Sequence, residues 1–260
     1  MKFWTGFFRV GGLAALVLFL AVGATAETTN GLSDAEIQGR QLARQLCEAR
    51  PEQNFTNTAT LKVIRKNDSS NVRVNFATAS TATNWFCVYE SVGTAVLSIV
   101  HTFGGENKYF YMPLLGDGPM PHSIFDNQYP NNGLAKTDLS FPFCGSDFWL
   151  CDLGLEFFHW PAQKILPKTT NLKRGREYTL LESTNPNPST NGYSRVLSWI
   201  DKESGGILQA EAYDARGKLL KVFEPKSFKK VNGQWELQEM EIRNVQTGSR
   251  TRLEFDLKKD

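Results

Sequence analysis

The chain lacks every short motif that would announce an enzyme of a common class. There is no Gly-x-Ser-x-Gly elbow, no His-Glu-x-x-His pair, no P-loop and no Gly-x-Gly-x-x-Gly turn. The simplest routes to serine hydrolysis, zinc proteolysis and nucleotide binding are therefore missing, and no cofactor or metal is expected. Histidine is scarce. His101, His122 and His159 are too far apart to ligate a metal unless the fold gathers them, and each reads as a surface or packing residue. Asp147 and Asp152 could pair for acid–base work, but a capping or turn role explains them as well. Charge of one sign is also lacking: 29 Lys+Arg stand against 27 Asp+Glu. Lys2 and Arg9 lie in the removable leader described next, which leaves 27 of each sign and no footprint for nucleic acid. Long apolar runs are absent after the first, Leu13 to Val22, which is shorter than the roughly 20 residues a spanning helix needs.

That first run has a purpose. Charged residues precede it, and Ala24-Thr25-Ala26 puts small residues where a signal peptidase cuts. Residues 1–26 read as a secretory signal peptide cleaved near Ala26, the alternative being a membrane anchor. No cysteine follows the site to carry a lipid. Residues 27–260 are expected to form a single domain, exported and not anchored. Asn54-Phe55-Thr56 and Asn67-Asp68-Ser69 match the glycosylation sequon, which matters only in a eukaryotic cell.

Export changes the meaning of the four cysteines, Cys47, Cys87, Cys144 and Cys151. Outside the cytosol an even number suggests disulfides, and the spacing does not suit zinc. Cys144 and Cys151 are the preferred bridge because they are close in sequence, with a gain of about 2.5 kcal/mol from the short loop. Cys47 and Cys87 could pair or remain buried thiols.

What is present is mostly β. Ser33 to Glu36 forms a capping box, and Ile37, Leu42 and Leu46 then recur near helical spacing until Pro51. From Phe55 the period changes to two. Alternating segments follow at Ala59–Val63, Val72–Phe76, Asn84–Glu90, Ala95–Phe103 and Lys108–Leu114. A second run starts near Arg176. It leads into a meander from Tyr193 to Leu257, punctuated by turns at residues 201–206, 214–217, 231–233 and 246–248. Leu253, Phe255 and Leu257 share one face there, opposite Arg252, Glu254 and Asp256. The phase slips between Trp235/Leu237 and Met240/Ile242, which a β-bulge near Gln238 or Glu239 would reconcile. About ten antiparallel strands form one large sheet, which tends to curl or close.

Two stretches interrupt the strands. Residues 116–140 are rich in Gly, Pro, Asn and Asp, and read either as a rim or lid or as an inert excursion. Residues 141–161 are the most aromatic in the chain. Ser146 or Asp147 is expected to cap a short helix carrying Phe148, Trp149, Leu153, Phe157 and Phe158, stopped by Pro161. That helix is either ordinary core or the wall of a lipid-sized cavity.

The motif Gly145, Ser146, Asp147, Phe148 with Asp152 and Leu153 resembles the Gly-Thr/Ser-Asp-Phe-x-x-x-Asp-Leu motif of bacterial outer-membrane lipoprotein-sorting proteins, the LolA-like superfamily. Downstream, Trp199-Ile200-Asp201, Tyr213-Asp214 with Gly217-Lys218, and Gly233 with Trp235 match the same family's strand pattern. Cys151 departs from the pattern where an acid usually precedes Asp152, and Cys144 before Gly145 fits a local disulfide. The resemblance implies a mainly β (α+β) fold, a half-open antiparallel barrel whose concave face is covered by an N-terminal and a short central helix. It implies a periplasmic, non-catalytic carrier of lipoprotein acyl chains or related lipids. Its partners would be an inner-membrane donor and an outer-membrane acceptor, and the chain would act as a monomer. An envelope adaptor that binds a membrane protein's periplasmic domain is the alternative. Phe148, Trp149, Leu153, Phe157 and Phe158 are expected in the cavity or its cover, with Trp199, Tyr213 and Trp235 lining the barrel.

Overall fold

Alternating apolar and polar side chains give twelve antiparallel strands among the described residues, all in one sheet. The structure, a computed structural model, describes residues 31–49, 54–113, 139–231 and 234–257. The expected leader at 1–26 lies outside these residues, as does the 116–140 stretch except for its last two positions.

The first five strands are β1 (Phe55–Ile64), β2 (Ser69–Ser80), β3 (Asn84–Ser91), β4 (Ala95–Thr102) and β5 (Lys108–Pro113). The other seven are β6 (Ala162–Leu166), β7 (Tyr178–Thr184), β8 (Tyr193–Asp201), β9 (Ile207–Asp214), β10 (Leu219–Val231), β11 (Gln234–Asn244) and β12 (Arg250–Phe255). The order is β5-β4-β3-β2-β1-β12-β11-β10-β9-β8-β7-β6. Two meanders thus meet where the first strand pairs with the last, Leu61 opposite Leu253. Burial in β12 alternates as expected, with Thr251, Leu253 and Phe255 inside. The phase slip in β11 is real: Ser227 faces Glu239 and Phe228 faces Leu237, so Gln238 is the extra residue. Cross-strand ion pairs such as Lys62–Glu254 and Arg195–Glu182 dress the outer face. At such exposure each is worth about 0–1 kcal/mol.

Helix α1 (Asp34–Glu48) starts at the expected capping box, the Ser33 N–H donating to Glu36 Oε2 at 2.9 Å. Its buried face is Gly39, Ala43 and Leu46, smaller than the expected Ile37, Leu42 and Leu46. Gly39 explains the choice. A Cβ there would lie 2.6 Å from the Lys164 backbone nitrogen, so only glycine lets α1 rest this closely on the edge strand β6.

The sheet wraps around residues 139–161. Asp152 touches Tyr193 on β8, and Glu156 touches Tyr109 on β5. Those strands are nine places apart in the sheet, about 43 Å if it were flat. Four residues of chain reach at most about 14 Å. Only a strongly curled sheet brings both strands to one short segment, and the apolar core fills the concave side.

Candidate functional site

The segment over the concave face is not the single helix expected. It is a 3₁₀ turn at Phe143–Gly145, a four-residue helix α2 (Leu150–Leu153), and a second 3₁₀ turn at Glu156–His159. Leu155 breaks the helix with a left-handed φ of 50°. The break lets Gly154 press on Tyr109, whose hydroxyl would lie 2.1 Å from any Cβ at that position. Neither Ser146 nor Asp147 caps α2. Trp149 stands at the N-cap, and its N–H donates to Asp152 Oδ2 at 2.8 Å.

The motif residues instead fasten the cover to the sheet. The Asp147 carboxylate accepts from Thr251 Oγ1 at 2.9 Å and Ser249 Oγ at 2.5 Å, and its N–H donates to Thr251 Oγ1 at 2.9 Å. The Phe143 N–H donates to the Phe148 carbonyl at 2.8 Å, and Arg65 donates to the Gly145 carbonyl at 2.7 Å. Gly145, at φ 67°, permits that turn. Asp147 and Asp152 are thus anchors on different strands, not a carboxylate pair.

Asp152 is the second anchor. It accepts from the Tyr193 hydroxyl at 2.9 and 3.1 Å and from Lys221 Nζ at 3.4 Å. Lys221 is only 2% exposed. Its ammonium also donates to the Asp147 carbonyl at 2.7 Å and sits 3.5 Å from the centre of the Trp149 ring, which stacks on Tyr193 at 4.6 Å. Burial lowers the Lys221 pKa, and the neighbouring Asp152 carboxylate opposes the drop. Burial and that same carboxylate push the Tyr193 hydroxyl well up. Such a buried pair adds little net stability over an apolar pair of the same shape, but it fixes position, because either charge alone is costly.

Two further anchors hold the far side. Glu156 accepts from the Tyr109 hydroxyl at 3.0 Å and Asn107 Nδ2 at 3.2 Å, and Asn107 also donates to the Gly154 carbonyl at 3.1 Å. Gln163 on β6 donates to the Phe157 and Trp160 carbonyls, each at 2.9 Å, and accepts from Ser183 Oγ at 2.7 Å. Lys221, Glu156, Asn107 and Gln163 were not legible as site residues. Lys221 and Gln163 sit inside strands, where an inward-facing charge or amide was their only signal, and parity is ambiguous in Leu219-Leu220-Lys221-Val222-Phe223. Glu156, in a 3₁₀ turn, and Asn107, just before β5, carry no periodic signal at all.

Phe148, Leu153, Phe157 and Phe158 are buried in the core and Trp149 half-buried against it. Phe148 packs edge-on to Phe223. These side chains fill the concave face: the cavity left between Leu155, Phe157, Tyr193, Phe223 and Ile242 is about 20 Å³. That is room for a single water, not an acyl chain.

The three barrel positions fare differently. Trp199 points away from the concave core and packs with Tyr178, Leu180 and Leu208 in a separate outer cluster, beneath the Lys173 ammonium. Tyr213 is also outside, covered by Arg195 at 4.1 Å, while its neighbours Ala210 and Ala212 face the core. Both faces of β8 and β9 carry apolar side chains, so alternation alone could not assign the inner one. Trp235, 46% exposed, borders a cleft of about 390 Å³ at one end of the sheet.

All four cysteines are free thiols. The expected Cys144–Cys151 bridge is not made. Cys144 occupies a left-handed turn beside Ser91, whereas Cys151 is buried toward Lys221 and Glu156. Burial pushes the Cys47 and Cys87 thiols up to about 12. His101 is buried and stacked on Trp85 at 3.5 Å. Burial, helped by His159, pulls its pKa down to about 3, so the imidazole is neutral at pH 7. Among the described residues no helix is long and apolar enough to cross a membrane, and no group of His, Cys, Asp and Glu is placed to hold a metal.

A family model carrying the description "uncharacterized protein" matches residues 89–258. No curated protein matches the chain. Solved structures do. A domain described as an outer membrane lipoprotein-sorting protein, from Vibrio parahaemolyticus, is 20% identical with a TM-score of 0.64, covering 85% of this chain and 91% of its own. A DUF1329 family protein from Desulfovibrio piger is 15% identical with a TM-score of 0.64, covering 86% and 92%. A LolA superfamily protein from Nitrosomonas europaea is 16% identical with a TM-score of 0.55, covering 88% and 96%. At these identities the likeness is one of fold, and it matches the half-open barrel that the resemblance implied.

Proposed function

The chain belongs to the family whose model spans residues 89–258 and has the lipoprotein-sorting fold, and from that premise we propose that it is a periplasmic carrier of lipoprotein acyl chains or related lipids. In this reading residues 1–26 direct export and are removed near Ala26, and residues 27–260 work as one domain. Cargo arrives from an inner-membrane donor and leaves to an outer-membrane acceptor. No catalytic group is assigned, since carriage makes and breaks no covalent bond.

The observation that carries the reading is the cover. Its aromatic side chains occupy the concave face, and side-chain hydrogen bonds at Asp147, Asp152, Glu156 and Gln163 hold it there. An incoming chain would displace Phe148, Phe157 and Phe158 and gain about 0.8 kcal/mol per buried CH₂. Trp149 and Leu153 would move with them. The exchange trades one apolar contact for another, so loading and release both remain accessible.

One observation favours a second reading, an envelope adaptor. The concave face is already filled, as it would be in a protein that works through its outer surface. Native mass spectrometry of protein purified from the periplasm without detergent separates the two. A carrier retains a lipid or lipopeptide mass. A bare mass in every preparation, including one incubated with a triacylated lipopeptide, would overturn the carrier reading. A protein partner retained after delipidation would establish the adaptor.

A further inference from the structure

The ladder between β9 and β10 stops at Phe223 opposite Ala210, although β9 begins at Ile207 and β10 runs on to Val231. Pro225 is the reason. It has no N–H to give to β9, and its carbonyl is taken by Arg174 from the β6–β7 connection. The register of β10 then slips against β11 on both sides of Ser227, and β9 carries an extra residue at Leu208. The two strands part, and a cleft of about 390 Å³ opens between them. That is within the usual range of small-ligand pockets.

The cleft has two chemically distinct walls among the described residues. One is apolar: Leu208, Pro225, Phe228 and Trp235, with Phe228 38% and Trp235 46% exposed. The other is polar and built around Arg176. Its guanidinium holds Asp201 through Nη2 at 2.7 Å and Nε at 3.2 Å, and Nη2 also holds Glu203 at 2.9 Å. These two carboxylates are not equivalent. Asp201 is 3% exposed and is fixed further by the Ser204 N–H and hydroxyl. Glu203 is 65% exposed, and a pair so open to solvent is weak. Glu203 is therefore an exchangeable anion on a guanidinium that Asp201 holds in place. Arg174 is committed to Glu224 at 2.6 Å and to Pro225.

We propose that this cleft binds an anionic single-chain amphiphile. The chain lies against Leu208, Phe228 and Trp235, and the head group takes the place of Glu203 on Arg176. A fatty-acid carboxylate and a lysophospholipid phosphate share this chemistry. The site is separate from the covered concave face and stands whether or not that face carries chains.

The test uses the full protein with dodecanoate, dodecyl phosphate and uncharged dodecanol, and 12-bromododecanoate as a quencher of tryptophan fluorescence. The bromo acid is expected to quench, and Trp235→Phe is expected to remove most of the quenching. Glu203→Gln, at an exposed position, is expected to tighten both anions three- to tenfold and leave dodecanol unchanged. A merely structural Glu203 would move none of these. Tighter binding of dodecyl phosphate than dodecanoate points to a lysophospholipid source, and the reverse order to a fatty acid. Absence of quenching, quenching that survives Trp235→Phe, or affinities indifferent to Glu203→Gln would each overturn the proposal. A lipopeptide still retained by the Trp235→Phe variant in native mass spectra would then leave the carrier reading intact.

Discussion

The covered concave face and the cleft between β9 and β10 both set aromatic side chains beside an ion pair, yet they behave as opposites. Under the cover, Lys221 and Asp152 are buried together, Trp149 and Tyr193 enclose the ammonium, and the remaining space is about 20 Å³. At the cleft, Arg176 is held between a buried Asp201 and an exposed Glu203, Phe228 and Trp235 lack full cover, and the space is about 390 Å³. The difference shows what burial does to the same chemistry. In a low-dielectric interior neither charge can lose its partner, so the pair becomes a fastener. At the surface water can substitute for one partner, so the pair becomes a place for exchange.

The sharpest way to break the comparison is Asp152→Ala. It leaves the Lys221 ammonium and the Tyr193 hydroxyl buried without their carboxylate, at an expected cost of about 3–5 kcal/mol. Urea unfolding reads the loss. Asp152→Leu combined with Lys221→Met should recover much of it, because an apolar pair needs no partner. A cost below about 1 kcal/mol for the single change would mean that the cover is fastened elsewhere. Acid tests the same interior. With the His101 pKa at about 3 in the fold against 6.5 when exposed, the unfolded chain binds more protons between those values. His101 thus leaves stability untouched above pH 6.5 and erodes it as pH falls toward 3, by up to about 4 kcal/mol. His101→Phe, measured across that window, should flatten the profile. Gly154→Ala is expected to be milder, about 1–3 kcal/mol, because the Tyr109 hydroxyl must move out of its contact with the cover.

These anchors also mark where the sequence stopped being readable. Strand alternation, the Ser33 capping box and the bulge at Gln238 are local, and each follows from spacing alone. Strand β6 escaped because its deeply buried side chain is Gln163, which serves the carbonyls of the cover and inverts the apolar pattern. The buried face of α1 was misread because close approach to β6 selects Gly39 and Ala43 over large side chains. The cover looked like one helix because the Leu153-Gly154-Leu155 run gives no hint that Tyr109, 45 residues earlier, presses on it. Asp147 and Asp152 were recognised as a motif, but their partners Thr251, Tyr193 and Lys221 lie on three strands that only the curled sheet brings together. Pairings across such distances are properties of the fold, not of any window of sequence.

The smallest expected effect is the one that best separates the two regions. Trp235→Ala removes the larger exposed aromatic of the cleft, and at 46% exposure it should change unfolding stability by no more than about 0.5–1 kcal/mol. Phe148→Ala, an aromatic of the cover at 1% exposure, should cost about 3–5 kcal/mol. The same denaturation series measures both. A large loss at Trp235 would mean that the cleft is closed by contacts as firm as those of the cover, and the distinction between a fastened interior and an open site would fail. A small loss there, beside a large one at Phe148, would mean that the protein keeps an aromatic at the surface which its stability does not require.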